Sequence, residues 1–298
     1  MNVQGPKRRH HFLPRYYLNG FSEKAAGHFI WEYRRGLPFH PGHVREKHNP
    51  CKVGTRRQAG VVENFYAFKD IEGEVRLEDV ENALEKLEKP IVEVMDKVRC
   101  QRRLDVQEKS TLAEYVFLIR QRVPSRAKRA SDLMERAMAG FNWDLLQRKA
   151  AEEGRFDLAR RLAFDRGSMV EDMRRELLVR GTLFRLTNVI AALAAMTWQF
   201  VVTDRDRIFV TSDDPVFFPE DLGLNKERSF LLFPVSSHVA LVASWIQGDD
   251  LAFYHAPEDL IASINGVTLQ RAQTYAYGAR SEPWIAAGLV PEAESPAG

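Results

Sequence analysis

Apolar residues recur at helical spacing through the middle of the chain and at strand spacing towards both ends. Between residues 77 and 98 they alternate at intervals of three and four, which predicts an amphipathic helix that Pro90 kinks or breaks. The apolar positions of this helix are Leu77, Val80, Leu84, Leu87, Ile91, Val94 and Val98. Further helices are predicted over residues 109–122, 126–152, 155–163, 167–202 and 258–275. The second half of the segment 167–202 is almost entirely apolar, so we expect a buried central helix there.

Short β-branched and aromatic runs predict strands at residues 28–34, 207–211, 229–235 and 239–245. Residues 35–60 are rich in Pro, Gly, His and Arg, and are predicted to form a long basic loop. The expected fold class is α+β, with a helical middle (about residues 77–202) and a small sheet formed by N-terminal and C-terminal strands. We expect one domain over residues 10–285, preceded by a disordered basic arm (1–9) and followed by a disordered tail (286–298).

Charge is unevenly distributed along the 298 residues, although the net charge is only +2. Residues 1–60 hold twelve Lys and Arg against three Asp and Glu, a balance of +9, whereas the remainder has a balance of −7. A basic segment of this kind indicates nucleic acid or another phosphate ligand as a partner. The alternative is a solvated basic face that pairs with the acidic remainder of the chain.

Cysteine content and hydropathy favour a cytoplasmic protein. Cys51 and Cys100 are the two cysteines of the chain, too few for a disulfide framework, which is typical of a reducing compartment. No apolar run follows the basic N-terminus, so no signal peptide is predicted. The longest apolar stretch, residues 186–202, is short for a bilayer span and contains polar residues, so no membrane partner is expected.

Several motifs occur in a fixed order along the chain. They are His10-His11-Phe12-Leu13-Pro14-Arg15-Tyr16-Tyr17-Leu18-Asn19-Gly20-Phe21, Ile30-Trp31-Glu32-Tyr33, Val62-Glu63-Asn64-Phe65-Tyr66, Arg122-Val123-Pro124, Thr211-Ser212-Asp213-Asp214-Pro215-Val216, Phe233-Pro234-Val235-Ser236 and Ile264-Asn265. With them the chain resembles domain-of-unknown-function family 4238 over roughly residues 8–277. The family usually has threonine at the position of Val123 and often asparagine at that of Asp214. The resemblance implies no established activity, so chemistry must be argued from residue types.

The first motif offers groups for proton transfer and anion binding. His10 and His11 are candidate catalytic acids or bases, because histidine titrates near neutral pH. Adjacent strand residues point to opposite faces, so at most one of them should face a given site. Arg15 is a candidate phosphate ligand and Tyr17 a candidate partner for a substrate oxygen. The alternative is a folding motif with three apolar anchors, Phe12, Leu18 and Phe21.

The motif around Ser212 and Asp213 follows a predicted strand, where sites are common. Asp213 can act as a base, bind Mg²⁺ or orient one of the histidines, and Ser212 can contact substrate. The alternative is turn formation, which Ser-Asp-Asp-Pro favours. A serine hydrolase is not expected, because Ser212 lacks the Gly-x-Ser-x-Gly context.

Two further residues are candidate substrate ligands. Arg122 precedes Val123-Pro124 and can clamp a phosphate or simply stabilise a helix C-terminus. Asn265 lies within a predicted helix, where it can bind ligand or form a core hydrogen bond to the 211–215 turn.

A histidine-rich loop and the cofactor question complete the candidate chemistry. The loop holds His40, His43, His48 and Cys51, but it lacks a paired Cys-x₂-Cys or His-Glu-x-x-His pattern, so no metal site is predicted there. Its basic residues can instead bind phosphates. No glycine-rich phosphate loop is present, so nucleotide binding by that route is not expected. The cofactor is unknown, with a divalent metal such as Mg²⁺ allowed.

These observations favour an enzyme that acts on a phosphate-containing substrate, such as a nuclease or phosphodiesterase of a microbial defence or toxin system. His10 or His11 would transfer the proton, Asp213 would orient it or bind metal, and Arg15 and Arg122 would clamp phosphate. The alternative is a non-catalytic nucleic-acid or protein-binding module. A third possibility is a scaffold that associates through the 77–98 helix. Convergence of the named side chains in one pocket would favour the enzyme.

Overall fold

The computed structural model describes residues 9–22, 28–41, 48–56, 58–63, 65, 68–69, 75–76, 84, 86–168, 170–171, 187–204, 206–219 and 223–290. Its strands are β1 (Arg9–His11), β2 (Phe29–Arg34), β3 (Cys51–Gly54), β4 (Val61–Glu63), β5 (Phe68–Lys69), β6 (Val75–Arg76), β7 (Thr197–Val202), β8 (Thr211–Ser212), β9 (Phe230–Ser236), β10 (Val239–Ser244), β11 (Ala252–His255) and β12 (Tyr275–Gly278). Its helices are α1 (Arg15–Asn19), α2 (Ile91–Arg99), α3 (Val106–Arg122), α4 (Pro124–Ala139), α5 (Trp143–Glu152), α6 (Phe156–Phe164), α7 (Thr187–Ala195), α8 (Glu258–Arg271) and α9 (Pro283–Ala287). The fold is α+β, as the sequence predicted.

The largest core lies between helices and the sheet β11-β7-β10-β9. Helix α3 packs against α2, α4 and α7, and α2 also contacts β9. The predicted 77–98 stripe contributes Ile91, Val94 and Val98 to this core, so the described part of the stripe packs within the chain. Residues 77–83 lie outside the described residues.

The second sheet joins strands from distant parts of the chain, in the order β3-β2-β12-β8. Strand β12 lies between β2 and β8 and is antiparallel to both. The predicted sheet of N-terminal and C-terminal strands is therefore confirmed. A smaller pair, β1 with β4, lies beside it and carries the two histidines of the first motif.

Local sequence signals explain where the central helices begin and end. Pro90 precedes α2, consistent with the predicted break. Asp105 accepts a hydrogen bond from the Glu108 amide and Glu108 accepts one from the Asp105 amide, a capping box that begins α3. Helix α3 ends at Arg122, because Val123 before Pro124 takes an extended conformation.

The predicted helix over 167–202 is wrong at its C-terminal end. Residues 197–202 form β7, which pairs with β10 on one side and with β11 on the other. A buried strand and a buried helix are both continuously apolar, so periodicity does not separate them. The aromatic and β-branched content of Thr197-Trp198-Gln199-Phe200-Val201-Val202 is typical of a strand. Residues 172–186 lie outside the described residues.

Other boundaries also differ from prediction. The 207–211 strand is reduced to Thr211–Ser212, and the predicted basic loop contains β3. The predicted 258–275 helix ends at Arg271, and β12 follows it. The predicted tail includes Ala286 and Leu289, which are buried in one cluster with Leu269 and Tyr33. At the other end, Arg9 belongs to β1; residues 1–8 and 291–298 lie outside the described residues.

Within the described ranges, every helix is too short or too polar to cross a bilayer. Both cysteines, Cys51 and Cys100, are free thiols.

Candidate functional site

A cavity of about 230 Å³ lies between the N-terminal and C-terminal elements of the second sheet. Five of the sequence motifs contribute to its wall, as does the strand β12. The lining residues are Phe12, Glu32, Gln58, Gly60, Val61, Val62, Pro124, Ser125, Asp213, Gln273, Thr274, Tyr275 and Tyr277. We take this cavity as the candidate site because segments far apart in sequence meet there.

A row of polar side chains crosses the sheet at this cavity. Glu32 of β2 lies directly opposite Cys51 of β3 and Tyr277 of β12, and Tyr277 lies opposite Thr211 of β8. Directly opposed residues of antiparallel strands project from the same face. The half-buried Glu32 therefore shares this face with Cys51 and Tyr277 on the neighbouring strands.

Glu32 has the most perturbed carboxyl group in the cavity wall. Burial raises its pKa to about 7; the charge of Arg34 opposes the rise and that of Asp213 adds to it. A carboxyl group with this pKa is partly protonated and partly ionised at neutral pH. It can therefore donate or accept a proton under physiological conditions.

Asp213 connects β8 to the segment that leads into β12. One carboxylate oxygen accepts a hydrogen bond from the Gln273 amide at 2.7 Å. The other accepts from the amides of Thr274 at 2.7 Å and Tyr275 at 3.0 Å. Burial raises the pKa of Asp213 and these three amides oppose the rise. These amides are some 60 residues downstream, so the contacts join two segments of the chain and give Asp213 a structural part in the cavity wall.

Gly60 brings the first motif close to β12. Its carbonyl accepts a hydrogen bond from the Phe12 amide at 2.9 Å, and its amide donates to the Tyr277 hydroxyl at 3.2 Å. Its φ angle is +64°, and a Cβ atom there would lie 2.9 Å from Leu13 Cβ. Any larger residue would push these two walls of the cavity apart.

Tyr17, within the first motif, and Arg122, outside it, bond this motif to other elements of the fold. The Tyr17 hydroxyl donates to the Pro234 carbonyl at 2.9 Å and lies 2.6 Å from Thr211 Oγ1. Arg122 donates to the His11 carbonyl at 2.7 Å and forms an ion pair with Glu88. Both side chains thus bond to protein groups. Through Tyr17 the first motif contacts Thr211 of the Thr211–Val216 motif.

The remaining predicted site residues are dispersed. His10 is buried in β1, His11 is half-buried beside it, and Arg15 is exposed on α1. The Ser212 hydroxyl accepts a hydrogen bond from the Asp214 amide at 3.2 Å. Asn265 accepts from the Val210 amide at 3.0 Å and donates to the Ile208 carbonyl at 2.9 Å, a core hydrogen bond just before the predicted turn.

Among the described residues of the cavity wall, Asp213 is the member of the predicted set that is present. The predicted convergence of histidine, arginine and aspartate side chains in one pocket is therefore not found in this part of the chain. The catalytic and substrate-binding roles of the other predicted residues stay predictions.

The described donor groups do not form a site for a metal ion. No group of three or more His, Cys, Asp or Glu side chains among the described residues is placed to hold one. The oxygens of Asp213 already accept three amide hydrogen bonds, so Asp213 does not suit the Mg²⁺ that the sequence allowed. In the histidine-rich loop, His40 and His48 have ring centroids 5.0 Å apart, and His43 lies outside the described residues.

Sequence reasoning did not select Glu32, although the residue stands within a quoted motif. The available signal was an acidic residue in the middle of the aromatic strand Phe-Ile-Trp-Glu-Tyr-Arg, where acidic residues are depleted. The signal points to a site only in the folded chain, where β12 pairs with β2 beside Glu32.

Comparison with known proteins gives a family and no activity. The chain matches DUF4238, described as a protein family of unknown function, over residues 9–282. No curated protein and no solved structure matches the chain. The match spans every motif and both sheets described above, and the chain belongs to the DUF4238 family.

Proposed function

We propose that this chain is an enzyme that acts on a phosphate-containing substrate by general acid–base chemistry at the Glu32 cavity. The carrying observation is the Glu32 carboxyl group, whose pKa is raised to about 7 in a cavity where five motifs meet. Hydrolysis of a phosphate ester, as in a phosphodiesterase or nuclease, is the reaction that suits these groups best.

Glu32 would act as the base for an attacking water molecule. As the water oxygen bonds to phosphorus, its proton passes to the Glu32 carboxylate, and the bond between phosphorus and the leaving oxygen breaks. The leaving oxygen takes a proton from solvent. A base with a pKa near 7 is matched to this task at neutral pH.

The N-terminus of α4, which reaches the cavity, favours an anionic substrate. Ser125 lines the cavity in the first turn of α4, directly before Arg126. The N-terminus of a helix carries partial positive charge and favours bound anions. A phosphate group between this helix and Glu32 would place its ester bond near the proposed base.

The test measures whether the full chain hydrolyses bis(p-nitrophenyl) phosphate and DNA and RNA oligonucleotides. We expect Glu32→Gln to lower kcat by about 10²–10⁴-fold, because it removes the proton acceptor. The wild-type rate should rise with pH through an apparent pKa near 7, as Glu32 ionises.

The matched control is Glu93→Gln, an exposed glutamate on α2 that does not line the cavity. It should leave kcat and the pH profile unchanged. Unaltered hydrolysis in a folded Glu32→Gln protein would refute the assignment of Glu32, and hydrolysis of none of these esters would refute the proposed reaction.

A second candidate, binding of single-stranded nucleic acid without turnover, has one observation in its favour. Lys52 Nζ lies 5.6 Å from the ring centroids of both Phe29 and Trp31 on the edge of the second sheet, and the Phe29 side chain is exposed. Exposed aromatic rings beside a cation are typical of surfaces on which bases stack. Oligonucleotide binding that weakens steeply with salt and is unchanged in Glu32→Gln, with no hydrolysis, would favour this candidate.

A further inference from the structure

Tyr277 contributes a buried hydroxyl group to the wall of the candidate cavity. The hydroxyl oxygen accepts a hydrogen bond from the Gly60 amide at 3.2 Å. Among the residues that the structure describes, none accepts the hydroxyl's own proton, so this group has one hydrogen bond left to donate. Buried hydroxyl groups seldom lack an acceptor, and the cavity is the space in which a ligand can supply one.

Glu32 lies beside this hydroxyl group and provides a proton acceptor. The two residues are direct partners in the pairing of β2 with β12, so their side chains project from one face of the sheet. Both residues line the cavity. In the described part of the chain no hydrogen bond joins the Glu32 carboxyl group to the phenol, so both groups are available to a ligand.

The Tyr277 hydroxyl group keeps its proton at neutral pH. Burial raises its pKa, the charges of Glu32 and Asp213 raise it further, and the hydrogen bond from the Gly60 amide opposes the rise. The group is therefore a donor and not a base. Its ring is buried and lies 6.4 Å from the Tyr275 ring centroid, at an angle of 26°, so the donor is held in place before a ligand arrives. Donors fixed in this way stabilise negative charge that develops during a reaction.

The charges of the cavity wall limit the kind of phosphate ester that fits. The described lining residues include two carboxyl groups, Glu32 and Asp213, and no Lys or Arg. Repulsion by a carboxylate increases with the charge of the ligand, so a phosphate monoester with two negative charges is less favourable than a phosphodiester with one. A neutral donor such as the Tyr277 hydroxyl group suits the phosphodiester.

We propose that Tyr277 donates a hydrogen bond to a non-bridging phosphoryl oxygen of a phosphodiester substrate, whose phosphorus is attacked by the water that Glu32 activates. This inference rests on the proposed function and narrows the substrate class from phosphate esters to phosphodiesters. Tyr277 transfers no proton. Its hydrogen bond strengthens as negative charge builds up on the phosphoryl oxygen in the transition state.

Tyr277→Phe tests this role, because it removes the hydroxyl group and keeps the ring. We expect kcat for bis(p-nitrophenyl) phosphate to fall by about 10²-fold, the usual effect of losing one donor to a developing oxyanion. The apparent pKa near 7 in the pH profile should remain, because Glu32 is intact. The monoester p-nitrophenyl phosphate should have a wild-type kcat/KM at least about tenfold lower than the diester.

Binding of dimethyl phosphate, the smallest phosphodiester, tests the contact without turnover. Phosphorus-31 NMR line broadening on titration gives the Kd for the full chain. We expect Tyr277→Phe to weaken binding by at least about tenfold, because a hydrogen bond to a charged group is lost. Glu32→Gln should bind at least as tightly as the wild type, because it removes a negative charge. The matched control is Tyr254→Phe, at a more exposed tyrosine of β11 outside the cavity wall, which should bind like the wild type.

The two measurements separate failure of this inference from failure of the proposed function. Weaker dimethyl phosphate binding by Tyr277→Phe, with no ester hydrolysed by the wild type, would support the Tyr277 contact and refute the reaction. Equal binding by a folded Tyr277→Phe protein, or no binding by the wild type, would overturn the contact. A wild type that prefers the monoester would overturn the choice of a phosphodiester.

A measurement on the wild type covers the case in which Tyr277→Phe does not fold. In a chain labelled with carbon-13 at tyrosine Cζ, the Tyr277 resonance should shift when dimethyl phosphate is added, and the Tyr254 resonance should not. An unchanged Tyr277 resonance at saturating dimethyl phosphate would likewise overturn the inference.

Discussion

The Glu32 carboxyl group combines burial with a neighbouring like charge, and both make its ionisation costly. The fold must meet that cost whenever the pH is high enough to ionise the group. In the unfolded chain the same carboxyl group has an ordinary pKa near 4.5 and ionises freely. A buried residue that weakens its own fold at neutral pH is typical of a functional position.

The pH dependence of stability should reveal this cost. Between about pH 4.5 and pH 7 the unfolded chain has lost the Glu32 proton and the folded chain retains it, so stability falls as pH rises. Glu32→Gln mimics the protonated form and should escape the fall. At about 1.4 kcal/mol per pKa unit, we expect the variant to gain up to about 3 kcal/mol over the wild type at pH 8.5 relative to pH 4.

Urea denaturation at the two pH values measures this difference, with Glu93→Gln as the control that should show no pH-dependent gain. A difference between Glu32→Gln and wild type that is the same at both pH values would mean that the Glu32 pKa is not raised.

The roles of single residues were the part of the site that the sequence predicted least well. Asp213 and Tyr17 were selected for their chemistry, yet their polar atoms are used by backbone amides, a carbonyl and a hydroxyl of the fold itself. A residue type shows which bonds a side chain can form, but its partners depend on elements some 200 residues away. The same distance conceals Glu32, whose burial depends on β12.

Among the elements, the short helix α1 connects the two large sheets. It is five residues long, too short to be stable alone, and it lies between β8 of the second sheet and β9 of the first. The Tyr17 hydroxyl carries one proton, which it donates to the Pro234 carbonyl, so Thr211 donates to it in turn. This side chain thereby joins the two sheets.

Removing the hydroxyl should loosen that junction measurably. Tyr17→Phe leaves the buried Pro234 carbonyl without this donor, and we expect a loss of about 1–3 kcal/mol in the free energy of unfolding. Tyr254→Phe, at a more exposed tyrosine of β11, is the control and should change stability by less than about 0.5 kcal/mol. Equal urea midpoints for the two variants would contradict the proposed junction.

Most elements with a clear local signal were predictable. The strands at 29–34, 230–236 and 239–244 follow from β-branched and aromatic content, and the C-terminal end of α3 follows from Pro124. The start of α3 was predicted at residue 109 but lies at Val106, after the Asp105 cap. Strand β7 was not predicted, because its continuous apolar pattern suits a buried helix equally well. Strands β11 and β12 have four residues each and are stabilised by pairing rather than by their own propensity.

At the scale of the whole molecule, the second sheet joins the N-terminal and C-terminal parts of the chain. Its inner strand β12 pairs with β2 and β8, and the segment before it supplies the three amides that bond to Asp213. Removing β12 would therefore expose the edges of two strands and leave Asp213 buried without hydrogen-bond donors.

Truncation tests this dependence. A chain ended after Thr274 should lose cooperative thermal unfolding, followed by near-ultraviolet circular dichroism, because the sheet and the cavity wall are both incomplete. A chain ended after Val290, which lacks only residues of the Pro/Ala/Glu-rich tail, should unfold like the full chain. Cooperative unfolding of the shorter chain near the full-length temperature would show that β12 is dispensable.

The long connection between β2 and β12 also has a consequence for biosynthesis. Some 240 residues separate the paired strands, so the ribosome releases the first motif and Glu32 long before their partners exist. The cavity must therefore wait for Tyr277, which supplies part of its wall. The cavity is therefore incomplete on a nascent chain and can form only after Tyr277 has been synthesised.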